Sequence, residues 1–291
     1  MNCVKTVARV GKIRYINSLP FYFGLTEDGA FPEKQTGPEI EFYESYPTKI
    51  NLALRKGKID IAPISSLEYL NHQENYVLLP DLAIGSRDFS GSVLLFSKEK
   101  IEGLNKARIL LSRQSLSSAT LLRVILKAKY KFENRFVSSA AKPEGMLRHA
   151  QAALVIGDDA LFYTPKEFVY KYDLSELWWN WTGKPFCFAV WAVRRDFAKR
   201  HPEEVSALYW RLKRNLDHNL ADLESLLKKA MNFDFIDERF PKVFGYLFNL
   251  IYTLDGPMFE GLELFYRFAG RLEISPRPQK IEFFEVSPEK V

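Results

Sequence analysis

Cysteine and histidine are scarce: Cys3 and Cys187 are the two thiols, and His72, His149, His201 and His218 the four imidazoles, in 291 residues. The cysteines share no metal-ligand or redox spacing, so both read as reduced and structural. The histidines form no His-Glu-x-x-His pattern, and no metal site is expected. Long apolar runs are missing too, with nothing near the roughly 18 residues of a membrane span. The first 13 residues carry Lys5, Arg9 and Lys12 and hold no apolar stretch ahead of a small-residue cleavage site. A cytoplasmic protein without a membrane partner is the expectation. Runs of five or six like charges are absent, as is any nucleic-acid-binding motif, so nucleic acid is not an expected partner. Nor is there a Gly-x-Ser-x-Gly elbow, a Walker loop or a Gly-x-Gly-x-x-Gly turn.

What is present is ordinary for a globular chain, 47% apolar and 26% charged, and long enough for one large or two modest cores. The net charge of +5 is spread along the sequence. It suits a small anionic ligand, and a solvated lysine surface equally well.

The stretch Val10–Phe21 organises the rest. It predicts a strand from Val7 to Ile13 that breaks into a short helix, with Asn17 or Ser18 at its cap and Pro20 in its first turn. In open α/β sheets, ligands sit off the carboxyl ends of strands, so Asn17 is placed either to face a ligand or simply to cap its helix. Further strands are expected at Glu39–Glu44, Ile59–Ile64, Tyr76–Pro80, Ser92–Ser97, Arg108–Leu111, Ala152–Ile156, Phe168–Tyr172 and Phe186–Val193. Helices are expected at Pro47–Lys56, after Ser65 (with a Ser65/Glu68 capping box), at Ser117–Tyr130, Pro143–Ala150, after Gly157 and at Leu174–Trp181. From Pro202 to about Ala269 the pattern is helical, and Ile281–Val286 reads as an edge strand or surface tail.

Alternating strands and helices imply mostly parallel sheets flanked by helices. Two such blocks, with polar crossings near 86–91 and 182–187, predict a two-lobed α/β body with its ligand in the cleft. One lobe takes 1–88 plus 188–291 and the other 89–187. Four strand-to-helix junctions carry small polar residues where an anion would sit: Asn17-Ser18, Ser65-Ser66, Ser115 to Ser118, and Gly157-Asp158. Divided between two lobes, they suit a small acid with several oxygens. These residues by themselves leave open whether the protein is an enzyme or a solute-binding protein.

The motifs then acquire a family likeness. Gly11-x-Ile13-x-Tyr15-x-Asn17-x-x-Pro20 resembles the opening of the menaquinone-biosynthesis chorismate dehydratases (MqnA type) of the futalosine route. The likeness continues through Ile64-Ser65-Ser66-Leu67-Glu68-Tyr69, Asp81-Leu82-Ala83-Ile84-Gly85 and Gly91-Ser92-Val93-Leu94-Leu95-Phe96-Ser97. It goes on through Ser115-x-Ser117-Ser118, Ile156-Gly157-Asp158-x-Ala160-Leu161 and Trp181-Thr182-Gly183-x-Pro185-Phe186-x-Phe188-Ala189. The Ser-Pro-x-Pro-Asn motif of the sister family is missing.

The resemblance implies the type II periplasmic-binding-protein fold, with a helical C-terminal region, and loss of water from chorismate to give 3-[(1-carboxyvinyl)oxy]benzoate. It implies no cofactor, a small dicarboxylate as the only partner, and a monomer or homodimer. Asn17 takes the catalytic role at the reacting region. Substrate-binding roles fall on Ser65, Ser66, Gly91, Ser92, Ser115, Ser117, Ser118 and Asp158. The serines would fix carboxylates, and Asp158 would orient a hydroxyl or a neighbouring helix start. No protein base stands in the motifs, which points to the substrate's own enolpyruvyl carboxylate. The alternative is a non-catalytic cytosolic solute-binding or sensor protein for a small carboxylate.

Overall fold

Strand β1 (Val7–Ile13) occupies the expected residues and turns Ala8, Val10 and Ile13 into the core. The computed structural model describes residues 6–25, 37–114, 116–140, 142–148, 150–164, 170–233 and 237–289. In it, β1 lies between β2 (Glu39–Ser45) and β3 (Ile61–Ser65), parallel to both. With β4 (Tyr76–Ser86), β10 (Phe186–Arg194) and β11 (Leu250–Ile251) they form a sheet in the order β11-β4-β10-β3-β1-β2. A second sheet, β7-β6-β8-β5-β9, is built from β5 (Val93–Ser97), β6 (Arg108–Ser112), β7 (Arg135–Ser139), β8 (Ala152–Ile156) and β9 (Tyr170–Asp173). Each sheet with its helices makes one lobe.

The sheets are mixed, and the direction of the strands explains the cleft. In each βαβ set the strands are parallel, β1 with β2 and β3, and β6 with β7 and β8. One interior strand per sheet runs against them: β10 is antiparallel to β3 and β4, and β5 to β8 and β9. Both are the first strand after the chain changes sheet, through 87–92 into β5 and through 183–185 into β10. A strand arriving from the other lobe starts at the cleft and runs away from it, so the βαβ strands end there. The carboxyl ends of β1, β3, β6 and β8 therefore face a common space, where helix N-termini gather. As its continuous apolar run predicts, β10 is buried along most of its length, with Phe186, Val190, Trp191 and Val193 fully enclosed.

Local departures from the sequence reading have identifiable causes. Strand β7 was not expected; Arg-Phe-Val-Ser-Ser is an edge strand with little to bury, so its apolar signal is weak. β4 continues past Pro80 to Ser86, because Asp81 takes a left-handed turn (φ 54°) rather than ending the strand. The expected helix Ser117–Tyr130 is α-helical over Ser117–Val124 and then a π-helical turn, Ile125–Lys129. The Ser65/Glu68 capping box does not form. Glu68 is buried against Arg55, at 3.5 Å, and the Tyr76 hydroxyl, at 3.4 Å, while Ser65 bonds Asn51. Neither Asn17 nor Ser18 caps a helix N–H; the Ser18 hydroxyl donates to the Ile13 and Tyr15 carbonyls, each at 2.8 Å.

Four helices follow β10 in the first lobe: Pro202–Ala221, Leu223–Met231, Phe240–Asn249 and Gly256–Arg271, after the short turn of helix Arg195–Arg200. Helix Pro202–Ala221 holds the chain just beyond Asn17. Its buried Asn215 and Asn219 donate to the carbonyls of Phe21 and Pro20, both at 2.9 Å, satisfying the open C-terminal end of helix Leu19–Tyr22. The tail bonds Leu78 of β4 from both sides, with Leu78 N to Glu282 O at 2.9 Å and Phe284 N to Leu78 O at 2.7 Å. Trp178, fully buried, packs on Phe186, Phe265 and Phe268 beneath the second crossing and donates to the Pro185 carbonyl at 3.3 Å. Among the described residues no helix is long and apolar enough to cross a membrane.

Candidate active site between the two sheets

A cavity, part of it open to solvent, lies where the carboxyl ends of the two strand sets meet. Its wall takes Asn17 from the turn after β1, Ser65 from the end of β3, and Ser92 from the first crossing. Ser117 and Ser118 come from the start of helix Ser117–Val124, and Gly157 from the end of β8. All four strand-to-helix junctions singled out in the sequence thus touch one space. Between the polar groups the wall is apolar, with Ile13, Ile84, Val93, Leu116, Ile156 and Phe188, a lining suited to a ring.

The polar groups are held at fixed angles. Asn51 donates to the Ser65 hydroxyl oxygen at 2.7 Å and accepts from the Ser65 N–H at 3.2 Å. The Tyr246 hydroxyl donates to Ser92 Oγ at 2.9 Å, and Gly157 N donates to the Ser92 carbonyl at 2.8 Å. Ser117 Oγ accepts from the Leu67 N–H at 3.1 Å, tying the lobes together behind the wall. Asn17 is the exception. Its carbonyl oxygen Oδ1 is buried and has no hydrogen-bond partner among the described residues.

Not all the expected site residues share this wall. Ser66 is fully buried behind it, its hydroxyl donating to the Cys187 carbonyl at 2.8 Å and meeting Ser117 Oγ at 3.0 Å. Gly91 also lies off the wall, its N–H donating to the Asp173 carboxylate at 2.7 Å. Ser115 lies outside the described residues. Asp158 faces an outer opening rather than the inner cavity, and accepts from the Ile16 N–H at 3.2 Å. Ile16 begins the short helical turn that carries Asn17, so the carboxylate meets a neighbouring helix start. Burial, and to a lesser degree Asp159, push the Asp158 carboxyl up to about 6 against the pull of that N–H.

Two wall residues were missed. Tyr15 and Gln114 line both the inner cavity and the outer opening, and the Tyr15 hydroxyl donates to Gln114 Oε1 across the cleft. Burial and the nearby Asp158 hold the Tyr15 phenol well above its ordinary pKa, so it stays a donor. Their positions, two residues before Asn17 and three before Ser117, were the available signal. The outer opening also carries Arg14, Lys49, Arg113 and Lys142 beside Asp158 and Asp159, whereas among the described residues no Lys or Arg lines the inner cavity.

Set against known proteins, residues 8–271 match the family model for menaquinone biosynthesis. The chain belongs to the menaquinone biosynthesis family. Among curated relatives of family members, the chorismate dehydratase of Thermus thermophilus is 31% identical over 209 residues, covering 64% of this chain and 70% of that protein. The fold of this family member is shared more widely. A protein of Archaeoglobus fulgidus superposes with a TM-score of 0.71 at 16% identity, over 92% of this chain and 98% of that one. The periplasmic aliphatic sulphonate binding protein SsuA of Escherichia coli gives 0.63 at 14% identity, over 95% and 96%. At such identities the likeness speaks for the two-lobed periplasmic-binding-protein fold alone.

Proposed function

We propose that this protein is a carbon–oxygen lyase that removes water from chorismate to give 3-[(1-carboxyvinyl)oxy]benzoate, the chorismate dehydratase step of the futalosine route. The observation that carries the reading is one cavity whose wall brings together Asn17 and serine side chains from both lobes. Membership of the family and the likeness to a chorismate dehydratase support it.

Chorismate has two carboxylates, a ring and a hydroxyl leaving group. The ring fits the apolar wall, and the carboxylates take donors from Ser65, Ser92 and Ser118, with the start of helix Ser117–Val124 adding partial positive charge. The proton at ring C3 and the hydroxide at C4 leave together as water, and the ring becomes aromatic. With the chemistry downhill, the site has to orient the substrate and stabilise the departing oxygen. Asn17 stands at the reacting region, where its amide N–H donates to the C4 oxygen as that oxygen departs with the C4–O bonding pair. The substrate's enolpyruvyl carboxylate, next to C3, takes the proton. Asp158 orients the turn bearing Asn17, through Ile16, from across the cleft. Ser66 and Gly91 act behind the wall, on Ser117 and on the crossing. The lobes, 1–88 with 188–291 and 89–187, close about the two crossings, in a cytoplasmic protein that works as a monomer or homodimer.

The test is to incubate the purified protein with chorismate and follow the ultraviolet spectrum, with the product identified by mass. Conversion to the aromatic ether is expected. Tight binding of chorismate with no conversion overturns the enzymatic reading and leaves a carboxylate-binding protein of the same fold.

A further inference from the structure

Helix Phe240–Asn249 belongs to neither βαβ set, yet Tyr246 reaches from it to the cleft. The side chain is buried at 6% exposure and packs beside Gly91 on the first crossing. Its hydroxyl donates to Ser92 Oγ, and the Asn17 side chain is its other hydrogen-bonding neighbour. One phenol thus touches the crossing, the catalytic turn and the C-terminal helices at once.

The consequence lies in the Ser92 proton. A serine hydroxyl has one proton and can sit in three staggered orientations. Because Ser92 Oγ accepts from Tyr246, its own proton must go to a different acceptor, and Ser92 lines the cavity. An O–H that already accepts one hydrogen bond is also the stronger donor. Burial holds the Tyr246 phenol above its ordinary pKa, so it donates throughout the neutral range.

We propose that Tyr246 is a positioning residue that turns the Ser92 hydroxyl into a fixed donor to a ligand carboxylate, acting through Ser92 and not on the substrate itself. This rests on the dicarboxylate reading of the cavity. Tyr246→Phe keeps the ring and its packing and removes only the hydroxyl.

The test is a double-mutant cycle of Tyr246→Phe and Ser92→Ala, read as KM and kcat for chorismate, as affinity for the aromatic product by calorimetry, and as melting temperature. In the native background, Tyr246→Phe is expected to raise KM and weaken product binding about tenfold, the size of one charge-assisted hydrogen bond. In the Ser92→Ala background the same change is expected to do nothing further to KM or product affinity. Equal losses in both backgrounds, or a lowered melting temperature with KM unchanged, would overturn the proposal and leave Tyr246 a packing residue. Native protein that turns over chorismate while the cycle is additive defeats only this proposal. Native protein that neither binds nor converts chorismate defeats the dehydratase reading and this proposal with it.

Discussion

The Ile16 N–H donates to the Asp158 carboxylate at 3.2 Å, and the two residues come from different lobes. The turn bearing the catalytic candidate is therefore held from across the cleft by an acid that is itself poised near neutrality. The native carboxyl titrates near pH 6, above the roughly 3.9 of an unfolded aspartate. Its contribution to stability is complete below about pH 4 and is lost as pH rises through about 6. Asp158→Asn keeps an acceptor for Ile16 and removes the titration. Relative to the native chain it should gain on the order of 1–2 kcal/mol between pH 4 and 7, allowing for partial exposure. Thermal melts at both pH values measure this; an unchanged difference between the two proteins refutes it.

Asn17→Ala should reduce kcat at least a hundredfold while KM moves only a few-fold, because the contact matters most as the C4 oxygen departs. Steady-state kinetics on the purified variant decide it. Normal turnover would remove Asn17 from the reacting region.

Gly157 has φ +66°, and an added Cβ would lie 2.8 Å from the Tyr15 ring. Gly157→Ala carries a left-handed penalty of about 1–2 kcal/mol and pushes Tyr15 away from Gln114. A loss of about 2–4 kcal/mol in denaturant unfolding is expected, with kcat/KM down at least tenfold.

Ser66 and Ser117 touch each other but differ in role, one behind the wall and one on it. Ser66→Ala removes the bond to the Cys187 carbonyl and should cost about 1–3 kcal/mol of stability with KM within about twofold of native. Ser117→Ala should raise KM several-fold. Reversed outcomes would place Ser66, and not Ser117, at the substrate.

Local sequence determined a good deal of this protein. Alternating apolar residues specified β1 to the residue, and a continuous apolar run marked β10 as buried on both faces. Small polar residues at four strand ends marked where the site would form, since such residues leave helix N–H groups open whatever the surroundings. The tertiary structure decided which of those groups remained free. A hydroxyl at a junction can turn inward or outward, and the partner that settles the choice lies far along the chain. Ser66 found Cys187, 121 residues on, and was spent; Ser92 found Tyr246, 154 residues on, and was aimed.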